Sequence, residues 1–180
     1  KLMELVPVTE LDLEKMLTTL RKAMLCEVIN GSGQIQGLPF YSALAVLCFM
    51  NDYVFTESNT EINEVQILEN MVKDKLEKGA TISPFLIAVL ASYRPLNSFF
   101  WITNILETDS ADKIKKVIVQ QVINVREEEN IRLSIPRLTS IGTDSAEVKS
   151  QYEENPYPRW SRAGLSPAPG TLRKVLIDNN

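Results

Sequence analysis

The chain contains no histidine. That removes the imidazole general base, His-based catalytic triads and His-ligated metals. Cysteine is nearly as scarce, with only Cys26 and Cys48, and two distant thiols cannot build a zinc site alone. Both fall in apolar helical patterns, so they read as buried free thiols, in keeping with a reducing cytoplasm. Long apolar runs are missing too. The longest, from Leu38 to Met50, is too short to span a bilayer, and Asn51 and Asp52 close it. No secretory leader is visible. A basic surplus is absent as well: the formal net charge is −4, whereas nucleic-acid binders favour a basic face. The expectation is therefore no membrane, no nucleic acid and a cytoplasmic location.

Phosphate-binding glycines are also lacking. Gly31-Ser32-Gly33 resembles a dinucleotide loop only superficially, because a helix precedes it and Gln36 stands where the third glycine belongs. Acidic runs such as Glu127-Glu128-Glu129 and Glu153-Glu154 are present, but neighbours along a helix point different ways, so they read as solvated faces. No catalytic residue, metal ligand or cofactor follows from these patterns, and the chain is not expected to be an enzyme.

What is present is helix. Hydrophobic residues make up 44% of 180 positions, enough for a real core. Thr9 is placed to cap a first helix in which Leu11, Leu13, Met16, Leu17, Leu20, Met24 and Leu25 recur at helical spacing, ending at Asn30-Gly31. A second helix starts at Leu38-Pro39 and continues to Phe55, apolar nearly all round and therefore central. A third follows Ser58-Asn59-Thr60, with Ile62, Val65, Leu68, Met71, Val72 and Leu76 as its buried stripe and Gly79 as its stop. Ser83-Pro84 opens a fourth, Phe85 to Tyr93, which Pro95 ends. A fifth covers Leu96 to Leu106. Asp109 or Ser110 caps a sixth, with Ile114, Val117, Ile118, Gln121, Val122 and Val125 in step. Ile131 to Ile135, the strongest strand candidate, is short and is read as continuing this helix. The fold class is all-α: a compact bundle-like domain of about six helices over 1–136, with an irregular Pro-rich tail over 137–180. That tail packs on the core or docks a partner.

Two places attract a binding role. Arg94, in the corner Tyr93-Arg94-Pro95-Leu96, either satisfies carbonyls at the end of its helix or holds an anion. The stretch 151–160 concentrates Tyr152, Asn155, Tyr157, Arg159 and Trp160 with two prolines. Tyr, Trp and Arg anchor interfaces most often, and stiff prolines reduce the entropy lost on ordering. Phe99, Phe100 and Trp101 stand in a row and cannot all point inward from one helix. A protein partner or a second protomer is the expected company, and a homodimer is compatible with that surplus of apolar surface.

The run Tyr-Glu-Glu-Asn-Pro-Tyr-Pro-Arg-Trp from Tyr152 to Trp160 resembles the junction that precedes the methyltransferase in bacterial tetratricopeptide-repeat proteins carrying a SAM-dependent methyltransferase domain. Upstream, Cys48-Phe49-Met50-Asn51-Asp52-Tyr53-Val54-Phe55, Leu90-Ala91-Ser92-Tyr93-Arg94-Pro95-Leu96 and Ile135-Pro136-Arg137-Leu138-Thr139 are similar to that family's helical middle domain, in the same order. The resemblance covers roughly residues 9–160. It implies a non-catalytic helical interaction or adaptor domain associated with a methyltransferase, or that enzyme's substrate-recognition module. A small-molecule-binding helical protein is the third reading. The repeats and the glycine-rich SAM loop of the family have no counterpart in the chain, so its cofactor-binding and catalytic residues have no positions here. The chain is either a piece of a longer protein or a free-standing version of the middle domain.

Overall fold

In a computed structural model the described residues are 10–31 and 37–135. They form seven α-helices and no strand: α1 (Leu11–Ile29), α2 (Leu38–Met50), α3 (Asn59–Glu77), α4 (Pro84–Ala91), α5 (Asp109–Lys113), α6 (Lys115–Ile118) and α7 (Asn124–Ser134). Between α4 and α5 run two 3-10 segments, Leu96–Ser98 and Phe100–Ile105, and a π segment, Val119–Ile123, joins α6 to α7. No helix among the described residues is long and apolar enough to cross a membrane. Thr9 and the segment 151–160 lie outside the described residues.

The core is built around α2 and α4, which pack chiefly on each other. All eight residues of α4 are buried, and so is almost all of α2. Helices this apolar find their partner only inside a shell. That shell is α1 and α3 on one side and the α5-to-π run on the other.

Several boundaries differ from the sequence reading, each for a local reason. The second helix stops at Met50 instead of Phe55, because Asp52 and Tyr53 both turn into the left-handed region with φ of 49° and 57°. The Tyr53 N–H then closes back on the Cys48 carbonyl at 2.9 Å, the wrap-around bond that ends helices. The expected fifth helix is two 3-10 pieces, since Phe99 is extended between them. Thr108, not Asp109 or Ser110, caps the next helix through Ala111 N–H, and the Ser110 hydroxyl instead donates to the buried Ile82 carbonyl. In α1 the buried face is Leu17, Arg21, Met24, Leu25 and Val28, while Leu11, Met16 and Leu20 are exposed. Cys48 is buried as expected, but Cys26 is only half-buried; both are free thiols.

Candidate functional site

The C-terminal end of α4 is where polar side chains converge. The last carbonyls of any helix lack intrahelical donors and carry its partial negative charge. Here almost every one is met. The Ser92 hydroxyl donates to the Val89 carbonyl at 2.7 Å. The Ala91 carbonyl accepts from the Tyr53 hydroxyl at 3.2 Å and from Gln121 Nε2 at 3.0 Å. Arg21 reaches the Ser92 carbonyl from α1 at 3.5 Å, and Arg94 turns back to the Tyr93 carbonyl at 2.7 Å.

Arg21 is completely buried. It sits one turn after Leu17 and one before Leu25, inside the core face of α1, so the helix period drives it inward. Its guanidinium also donates to the Thr56 carbonyl at 2.9 Å and the Phe55 carbonyl at 3.4 Å. Its central carbon lies over the Tyr93 ring, 4.2 Å from the centroid, a favourable seat for a desolvated cation. Nε has no partner. The counter-charge is Glu61, also buried. Glu61 is the third residue of α3, where its carboxylate accepts from the backbone and hydroxyl of Ser58 at 2.9 and 2.8 Å in a capping box. Its other oxygen accepts from the Tyr93 hydroxyl at 3.0 Å. Tyr93 therefore stands between the two buried charges.

Burial works against the Glu61 charge, but the Ser58 donors, the Tyr93 hydroxyl and the positive Arg21 outweigh it and hold the carboxyl below the usual range. A folded-state pKa depressed in this way adds stability above the ordinary carboxylate range, lost as pH falls through the lowered value. Glu61→Gln is expected to lower stability at neutral pH by about 1–3 kcal/mol. It also flattens the acid side of the stability profile, measured as denaturation midpoint against pH. An unchanged acid slope would remove Glu61 from that role. Burial pushes the Cys48 thiol up to about 12, with neighbouring Arg21 pulling the other way, so this thiol is inert as a nucleophile near neutrality.

Of Arg94 and the stretch 151–160, the two places given a binding role from sequence, Arg94 falls among the described residues. It forks onto both oxygens of Glu57 at 2.7 and 2.9 Å. That bidentate pair raises its pKa further against the effect of partial burial. The pair and the Tyr93 carbonyl give Arg94 the role of clamping the α2–α3 connection to the end of α4.

Gln121 was visible in sequence only as a polar member of an apolar stripe. It lies fully buried in the π segment, accepting from Leu96 N–H at 3.1 Å and donating to the carbonyls of Ala45 and Ala91, both at 3.0 Å. One amide thus joins α2, α4 and the first 3-10 segment.

The outer surface is different in kind. In the row Phe99, Phe100 and Trp101, the indole is buried, Phe99 stacks on it with centroids 4.7 Å apart, and Phe100 is 86% exposed. None of the residues of α7 is buried. Val119, Ile123, Ile131, Leu133 and Ile135 are all exposed. Arg126 ties this helix to the hydroxyl of Thr103 at 3.0 Å, and Arg132 pairs with Glu129. Among the described residues no group of three or more potential metal-ligating side chains comes together. No protein-family model matches the chain, and neither a curated protein nor a solved structure matches it.

Proposed function

We propose that the chain is a non-catalytic helical interaction domain, with a protein partner or a second protomer as its ligand. One observation carries the reading: the run from Lys115 to Ser134 turns apolar side chains outward along its length, Val119, Ile123, Ile131 and Leu133 among them. Meanwhile most of the buried polar side chains are engaged in holding helix ends and connections, as Arg21, Glu61, Ser92, Ser110 and Gln121 are. A surface helix ordinarily turns its apolar stripe to the core. Exposed apolar patches of this kind mark interaction surfaces.

The ordered motifs shared with the methyltransferase-associated family support a place beside such an enzyme in a bacterial cytoplasm, as adaptor or substrate-recognition module. Tyr152, Asn155, Tyr157, Arg159 and Trp160 are a second proposed docking element. The test is capture of partners by the immobilised chain, compared with Ile123→Asp and Ile131→Asp. Both side chains are exposed, so the melting temperature should stay within about 2 °C, while capture is lost. Capture that survives both changes would remove this helix as the binding surface.

A further inference from the structure

From Lys115 the helix runs on through the π segment and α7. Every fourth residue at its start faces outward: Lys115, Val119, Ile123 and Glu127 are all exposed. In a regular α-helix each four-residue step overshoots a full turn by about 40°, so such a row drifts around the cylinder. The π turn between Val119 and Ile123 is wider, closing its bond over five residues, and four residues there fall short of a full turn. That brings the row back into line. The burial of Gln121 and Val122 on the opposite side fixes which way the row points.

Read in order, the row is basic, apolar, apolar, acidic. It complements its own reverse. We infer that this row is a self-pairing seam, by which two copies of the chain join antiparallel about a two-fold axis level with Gln121. Val119 of one copy then meets the partner's Ile123, and Lys115 meets the partner's Glu127, each contact occurring twice as an isologous interface requires. A parallel arrangement sets Lys115 against Lys115 and Glu127 against Glu127, so charge selects the antiparallel one. The inference rests on the interaction-domain reading and names the partner at this part of the surface. Four residues a side make a small contact, well below the standard interface. The dimer is accordingly weak, concentration-dependent and loosened by salt, which screens exposed ion pairs.

Sedimentation velocity on the full chain over a concentration series, at low and high salt, tests this. The wild type is expected to show a monomer–dimer equilibrium shifted toward monomer by salt. Lys115→Glu and Glu127→Lys should each be monomeric, since each sets like charges together. Mixing those two variants should restore a heterodimer, and the double variant K115E/E127K should restore the homodimer. Because all these side chains are exposed, circular dichroism should show the same helix content throughout. A chain that stays monomeric at the highest soluble concentration, or a dimer indifferent to the charge swaps, overturns the seam. A monomer whose partner capture is still lost with Ile123→Asp leaves the interaction-domain reading standing, whereas a monomer that captures no partner at all overturns both.

Discussion

Arg21→Ala is expected to lower the stability of the fold by about 3–5 kcal/mol, the range found when one member of a buried charge pair is removed. Three losses combine. The Thr56 and Phe55 carbonyls lose their donor, so the connection between α2 and α3 loses its anchor to α1. The Ser92 carbonyl loses its cap at the negative end of α4. Glu61, buried and still held by Ser58 and Tyr93, is left without the positive charge that offsets it. Thermal unfolding should shift down by roughly 10–20 °C. Arg21→Lys is expected to recover little, because an ammonium lacks the planar fork that reaches carbonyls on two elements while its centre sits over the Tyr93 ring. Arg21→Met keeps the stem's packing and should fall between the two. A cycle of Arg21→Met with Glu61→Gln reads the coupling directly: about 0.5–3 kcal/mol is expected for groups sharing one network. Additive losses would show that the two charges do not feel each other through Tyr93.

These two charges also mark the limit of what pattern could reveal. Helix existence was legible where the apolar period was strong, as in α1 and α3, and where a short apolar run opened on Ser83-Pro84, as in α4. The central position of α2 followed from its being apolar all round. What pattern missed were polar residues inside those periods. Arg21 stands in the row Leu17, Arg21, Met24, Leu25, Val28, and Glu61 in the row Glu61, Val65, Leu68, Val72. Reading each row strictly by period, without discarding its charged member, places both inside. The end of α2 was not legible for another reason. Asp52 and Tyr53 adopt a left-handed conformation usually signalled by glycine, and they are held there by contacts distant in sequence, such as Tyr53 with Ala91. The split of the fifth helix at Phe99 and the π turn at Val119–Ile123 are equally tertiary choices. Of the sequence-chosen site residues, Arg94 resolves into a clamp with Glu57, which nothing in their spacing of 37 residues announced.

Gln121→Leu is expected to destabilise the domain by about 2–4 kcal/mol, although it keeps the side chain's bulk and adds apolar surface. The three bonds it removes are not equivalent. Ala45 lies within α2, so its carbonyl has a helical donor besides the amide. The Ala91 carbonyl keeps the Tyr53 hydroxyl. The Leu96 N–H has Gln121 Oε1 as its acceptor in a fully buried position, and becomes an orphan donor. An unmet buried donor carries its whole desolvation penalty, so this bond dominates the loss. Gln121→Glu separates the contributions by pH. At neutral pH a carboxylate still accepts from Leu96 but turns negative charge on two carbonyls, so the loss should exceed that of the leucine variant. In acid the protonated carboxyl both accepts from Leu96 and donates to one carbonyl, and part of the stability should return relative to wild type. The same amide sits in the π turn, where the wider backbone carries position 121 inward while Val119 and Ile123 remain outside. Once the leucine removes the polar tether, the segment has less reason to hold the π geometry. Hydrogen exchange at residues 119–127 should then quicken more than exchange in α2 or α4. Uniform acceleration across all three would mean that Gln121 supports the core alone and not the π turn.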